Sequence, residues 1–312
     1  MLARLDRRDA RSSILRRRVL RLIHSGARRS YDGISMDGPE TARNTGMKIP
    51  LFQVDAFTEK IFSGNQAAVC PLTHWLEDKQ MLAIAAENNV SETAFFVPEN
   101  GAYCLRWFSP KSEVQLCGHA TLATAFVIFN FLRPGTTSVR FHTCSGPLDV
   151  KKEGDFLAMD FPSLPARPCE SVPKALLDGL NPSPRVVLES GATAAERNYF
   201  VVYDNEKDVR DAIPDLPILE TLHPAGVCIT APGERVDFVS RYFAPSYGIP
   251  EDPVTGSTHC SLGPYWSDVL KKSVLRAQQL SSRGGELLVE PRGSRITLKG
   301  KATLYLVAEI SI

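Results

Sequence analysis

Arg106-Trp107-Phe108-Ser109-Pro110 leads to Glu113 and then to Gly118-His119-Ala120; far downstream, Arg241-Tyr242-Phe243-Ala244-Pro245 leads to Glu251 and then to Gly256-Ser257-Thr258. Both copies run arginine, aromatic, phenylalanine, small residue, proline, then an acid, then a glycine that opens an apolar stretch. The duplication predicts two similar lobes. Two matching elements that face each other enclose a cleft, and the chemistry is expected there.

Outward from each copy the same plan is legible. Ahead of the first, Ile49–Ala56 alternates like a strand, Phe62-Ser63-Gly64-Asn65 reads as a turn and Leu76–Asn89 as a helix. Thr93–Val97 and Ala102–Phe108 read as strands on either side of Pro98-Glu99-Asn100-Gly101. Behind it, Gly118–Phe131 reads as an apolar helix that ends near Arg133-Pro134-Gly135. Ser138–His142, Leu148–Lys152 and Phe156–Asp160 alternate as strands, and the proline-rich stretch Pro162–Pro184 marks a boundary. Beyond it, Asn198–Tyr203, Val227–Thr230 and Val236–Phe243 read as strands and Gly256–Leu270 as a second apolar helix. Leu287–Pro291, Arg295–Lys299 and Ala302–Ile310 close the chain. A helix apolar on most faces belongs in a core. The expected fold class is therefore α+β, with two pseudo-equivalent lobes, each a barrel-like mixed β-sheet wrapped around a central helix. Residues 47–162 make the N-terminal lobe and 163–312 the C-terminal lobe, with the last strand free to pack on the N-terminal one.

Composition narrows the function classes. Of 312 residues, 43% are hydrophobic and 23% charged, the ordinary range for a globular protein. Apolar runs such as Ala120–Phe131 are too short to span a bilayer, so no membrane partner is expected. The formal charge of +1 conceals an asymmetry, because residues 1–47 hold 11 Arg and no Lys against 5 acids. The body is left mildly acidic, which argues against nucleic acid as a partner. Seven cysteines, odd in number and without a C-x-x-C pair, read as free thiols in a reducing compartment. The dispersed histidines give no metal-ligand spacing, and no metal is expected.

Residues 1–46 stand apart. Leu15, Val19 and Leu22 fall on one helical face among arginines, the pattern of a mitochondrial presequence, but Asp6 and Asp9 count against that reading. The alternative is a disordered tail ahead of a natural start at Met47. The compartment expected is the cytoplasm, or the mitochondrion if residues 1–46 are a presequence.

Both central helices begin at a glycine, Gly118 and Gly256, where a ligand can approach the backbone. Free first-turn N–H groups and the positive end of the helix dipole favour an anion. Such a pair suits a substrate carboxylate, or the enolate left when a proton departs from the neighbouring carbon. One such donor is worth roughly 2.7–4 kcal/mol in a transition state. Proton transfer also needs a base and a returning acid. The candidates are Glu92, His119, Asp252 and Cys117. Taken singly, Glu92 reads equally as a loop acid, His119 as a capping or core histidine, Asp252 as a turn residue and Cys117 as a buried thiol; their placement around the repeat raises them above that.

The stretches Phe52–Cys70, Ser91–Phe95, Leu105–Ala123, Ser240–Ser257 and Ser282–Glu286, in this order, resemble the PhzF-like (phenazine biosynthesis-like) family. The resemblance implies a diaminopimelate-epimerase-like fold, proton transfer without any cofactor, a small-molecule carboxylate substrate and a homodimer. It implies Glu92 as acid/base, with His119 and Asp252 beside it. Gly118, Gly256, Ser257 and Cys117 then contact the substrate. Epimerases of this fold oppose two cysteines, one before each helix-opening glycine; here Cys117 precedes Gly118 but Thr255 precedes Gly256. A threonine hydroxyl is too weak an acid for that exchange, so an isomerisation carried by Glu92 alone fits better. A cysteine-assisted epimerase or racemase of an amino or hydroxy acid, and a non-catalytic binding protein on the same fold, are the alternatives.

Overall fold

In the computed structural model, which describes residues 46–182, 184–191 and 197–312, the duplication extends to the strand pairings. In the N-terminal half, Lys48–Ala56 pairs antiparallel with Asn65–Pro71, which runs parallel to Glu92–Glu99. Glu92–Glu99 pairs antiparallel with Ala102–Phe108, which takes up the short strand Glu113–Val114 and then Ser138–Thr143 in parallel. Gly146–Glu153 and Phe156–Pro162 follow as antiparallel neighbours. The C-terminal half repeats each step. Val186–Ser190 pairs antiparallel with Asn198–Val202, which is parallel to Gly226–Pro232. Phe238–Ala244 then takes up Ile249–Asp252 and, in parallel, Leu275–Gln279. Gly285–Arg292 and Arg295–Gly300 complete the series. The disordered or targeting extension expected at residues 1–46 lies, but for residue 46, outside the described residues.

Two seams join the halves. Phe156–Pro162 pairs antiparallel with Arg295–Gly300, and the last strand, Ala302–Ser311, returns to pair with Lys48–Ala56. One helix occupies the centre of each half. In Gly118–Val127 eight residues from His119 to Val127 are buried, so no face of this helix meets solvent. Its polar members answer this burial locally, because Thr121 and Thr124 donate their hydroxyls to the carbonyls of Cys117 and Ala120 at 2.7 Å. A π-turn, Ile128–Leu132, continues it. The second helix, Gly256–Leu270, buries Leu262 and Trp266, and Trp266 Nε1 donates to Thr230 Oγ1 at 3.0 Å.

The repeated phrase is a structural strut. Arg106 grips Glu113 through two bonds of 2.7 Å, and Arg241 grips Glu251 through bonds of 2.7 and 3.0 Å. Each guanidinium also lies over the phenylalanine two residues on, Phe108 at 5.2 Å and Phe243 at 4.9 Å. The acid sits on the short strand that leads to the helix-opening glycine. The phrase thus fixes the approach to each central helix, and its arginines are engaged by protein groups.

Candidate active site

The two central helices meet at their first residues. A methyl group built on Gly118 would touch the Cα of Gly256 at 3.9 Å, and one on Gly256 would touch the Cα of Gly118 at 3.9 Å. Cys117 and Thr255, the residues before these glycines, both have extended backbones, and neither helix start has a side-chain cap. The amide groups of both first turns therefore face one crevice between the lobes.

Glu92 opens the strand Glu92–Glu99 and reaches this crevice from the N-terminal lobe. Its Oε2 lies 3.0 Å from His119 Nε2, and the two side chains are only 12% and 7% exposed. The contact lacks hydrogen-bond alignment, so that buried oxygen has no hydrogen-bond partner. On the other edge of the imidazole, Nδ1 lies 3.5 Å from Cys117 Sγ. Burial by itself lowers the pKa of His119, but the neighbouring Cys117 and Glu92 outweigh it and hold the ring well above its usual value. Burial pushes the Cys117 thiol up, and Glu92 adds to that shift.

Asp252 enters from the opposite lobe, at the end of the strand Ile249–Asp252. Its carboxylate accepts from the Thr255 hydroxyl and, at 2.8 Å, from Asn65 Nδ2. Burial raises its pKa; His119, Thr255 and Asn65 oppose that shift. Asn65 ties the lobes together at this point. Its amide nitrogen also lies 3.3 Å from His119 Nδ1 and donates to the Val254 carbonyl at 3.0 Å, while its oxygen accepts from Ser91 at 2.9 Å. Gln279 completes the C-terminal side. Its Nε2 donates to the Asp252 carbonyl at 2.8 Å and to Thr255 Oγ1 at 3.2 Å, and its oxygen accepts from the Thr255 amide at 2.8 Å.

The structure thus gathers Glu92, Cys117, Gly118, His119, Asp252 and Gly256 around one crevice. Ser257, next to Gly256, is the exposed residue of the second helix's first turn. Sequence reading passed over Asn65, Thr255 and Gln279 as members of the site. Asn65 follows Ser63-Gly64, where asparagine is an ordinary turn residue, so its local context signals a turn and nothing more. Gln279 ends an ordinary-looking strand. Only the closing of the sheet brings either to Asp252.

Chemically the crevice combines a carboxylate with a free oxygen, an imidazole, a second carboxylate and two sets of helix-start amides. That set can take a proton from carbon, hold the resulting anion and return the proton.

Comparison with known proteins places this arrangement. The sequence profile described as phenazine biosynthesis-like protein (PhzC-PhzF) matches residues 54–308. An uncharacterized isomerase of Pseudomonas aeruginosa is 49% identical over 260 residues, spanning 83% of this chain and 98% of that protein. The crystal structure of a PhzF-family phenazine biosynthesis protein from Enterococcus faecalis is 41% identical and superposes with a TM-score of 0.80, covering 85% of this chain and all of that one. A hydroxyproline epimerase from Agrobacterium vitis, 10% identical, covers 85% of this chain and 93% of its own with a TM-score of 0.55, a likeness of fold alone.

Proposed function

From the premise that this chain belongs to the PhzC-PhzF family of phenazine biosynthesis-like proteins, we propose that it is an isomerase that moves a proton on a small carboxylate substrate without a cofactor, with Glu92 as the acid/base. The observation that carries this reading is Glu92 Oε2, buried beside His119 and Cys117 at the start of the first central helix and without a hydrogen-bond partner. The oxygen faces His119 Nε2 at 3.0 Å yet accepts no hydrogen bond, so it keeps a free acceptor position for a substrate proton brought beside it. The substrate carboxylate lies on the helix-start amides at Gly256 and Ser257. Glu92 takes a proton from the carbon next to the carboxylate, the C–H electron pair delocalises through an adjacent C=C bond of the substrate, and Glu92 returns the proton on the same face to the far carbon of that bond, so that the double bond shifts by one position. His119 sits beside Glu92, with its Nε2 3.0 Å from Oε2 and its Nδ1 3.3 Å from the Asn65 amide nitrogen. Asp252 orients the substrate from the second lobe, and Cys117 and Gly118 line the same wall. The asymmetry of Cys117 and Thr255 supports a single base over two opposed thiols. Following the family resemblance, the enzyme works as a homodimer in the cytoplasm.

The test is solvent exchange. The protein is incubated in D₂O with a pooled set of small carboxylic acids, beside Glu92→Gln, and products are weighed by mass spectrometry. The reading expects deuterium uptake by one compound class with the wild type and a loss of at least about 100-fold in Glu92→Gln, the usual contribution of a general base. Equal exchange by both proteins would remove Glu92 from the reaction.

A further inference from the structure

We propose that Glu92, Cys117 and His119 form a binding site for a thiophilic divalent cation such as Zn²⁺, and that the bound ion withdraws the proton-transfer groups from the crevice. The inference begins with a group that the reaction leaves unused. Cys117 is buried, its thiol lies 3.5 Å from one imidazole nitrogen and 4.0 Å from the other, and no disulfide engages it. Together the carboxylate, thiol and imidazole offer three ligand atoms that all lie within 4.8 Å of one another. With metal bonds of about 2.0–2.3 Å, neighbouring donors on a tetrahedral ion stand about 3.3–3.6 Å apart. Through one ring nitrogen, Nε2 of His119, the observed contacts are 3.0 Å to Glu92 Oε2 and 4.0 Å to Cys117 Sγ, which bracket that spacing. Side-chain rotation of a few tenths of an ångström therefore closes the site.

A second and independent observation points the same way. Glu92 Oε2 is buried with no hydrogen-bond partner, so it keeps acceptor capacity that no protein donor fills. Charge agrees as well. Binding sends the Cys117 thiol proton and any proton on His119 Nε2 to solvent, so the ion is held by a carboxylate, a thiolate and a neutral imidazole, and the two anionic ligands match a doubly charged cation. Asp252 across the crevice adds further negative potential.

The internal repeat supplies the control. In strand register, Glu92 stands opposite Ala67 as Gly226 stands opposite Asn198, and Cys117 and His119 correspond to Thr255 and Ser257. All three donors are therefore confined to one lobe, and the equivalent place in the other holds no soft ligand. With three protein ligands, the fourth position of the ion stays open toward the crevice. A mixed sulfur, nitrogen and oxygen set favours Zn²⁺, Cu²⁺ or Co²⁺ over Mg²⁺ or Ca²⁺.

Co²⁺ is the probe, because a Co²⁺–thiolate bond gives a charge-transfer band in the near ultraviolet. The full chain, kept reduced with a non-thiol reductant and stripped with a chelator, is titrated with CoCl₂. One equivalent is expected to produce the band, and one equivalent of Zn²⁺ to abolish it. Cys117→Ser is expected to lose the band and Glu92→Gln to weaken Co²⁺ binding at least tenfold, both with unchanged circular dichroism. Cys144→Ser, which alters an exposed thiol, is expected to keep the band. No band on titration, or a band that survives in Cys117→Ser, overturns the site. These readouts need no substrate, so they stand or fall separately from the proposed isomerase activity.

Discussion

At the scale of single residues, a buried histidine couples stability to pH. His259, on the second central helix, is fully buried. One ring nitrogen bonds the Thr255 carbonyl at 2.8 Å and the other has no partner. Burial holds its pKa down to about 4, from an ordinary value of 6.5. In the unfolded chain it takes a proton at the ordinary value; in the folded chain it resists until about pH 4. Between those values the unfolded state binds more protons, so stability rises with pH across that window and falls on acidification. The span corresponds to about 3 kcal/mol. Urea unfolding from pH 7 down to pH 4 is expected to show this loss, and His259→Gln to flatten it. A variant with the wild-type acid slope would assign the effect to other groups.

The central helices set the site by where they begin, and each begins at a glycine. A methyl on Gly118 would make only ordinary contacts, 3.8 Å to Phe161 and 3.9 Å to Gly256. Gly118→Ala is therefore expected to fold, with stability within about 1 kcal/mol of wild type. The same methyl occupies the crevice where the helix starts meet. Deuterium exchange should fall at least tenfold in this variant, with the melting temperature little changed. Exchange at the wild-type rate would place the substrate elsewhere. Gly263 contrasts with it. There a methyl would come within 2.5 Å of Ile296 and 2.7 Å of Val289, so that glycine serves helix-to-sheet packing.

At the scale of the whole molecule, the lobes are tied by a clamp just ahead of Asn65. Arg283, from the C-terminal lobe, donates to Asp55 at 2.9 Å and to the carbonyls of Ser63 and Gly64 at 3.0 and 2.8 Å. Asp55 is almost completely buried and also accepts from the Phe62 amide at 3.0 Å. Burial raises its pKa, with Phe62 and Arg283 opposing. Gly64 sits at a φ of +68°, and its Cβ would fall 2.1 Å from the Ala56 carbonyl, so only glycine carries the chain past the clamp. Arg283→Ala leaves a buried carboxylate unpaired, at a cost of about 3–5 kcal/mol near neutral pH. The pKa of Asp55 then rises further, and an acid with a raised folded pKa loses stability as pH climbs through it. The deficit should accordingly be larger at about pH 7 than at about pH 4 when guanidinium midpoints are compared. An equal deficit at both would show that packing, not charge, is what Arg283 supplies.

The sequence by itself determined the duplication and the glycine-led apolar helices, because strand alternation, helix apolarity and a repeated phrase are all written within short windows; that Arg106 and Arg241 pair with Glu113 and Glu251 came only from the structure. It also marked Glu92, Cys117, His119 and Asp252 as worth attention, since each neighbours the repeat or a matching stretch. Only the tertiary structure decided which of them meet. Asn65 and Asp252 are separated by 187 positions, and Arg283 and Asp55 by 228. Their contacts exist because Phe156–Pro162 pairs with Arg295–Gly300 and the last strand returns to the first. Side chains buried by that closure must find polar partners from the other lobe, and no local pattern records which partner closure supplies.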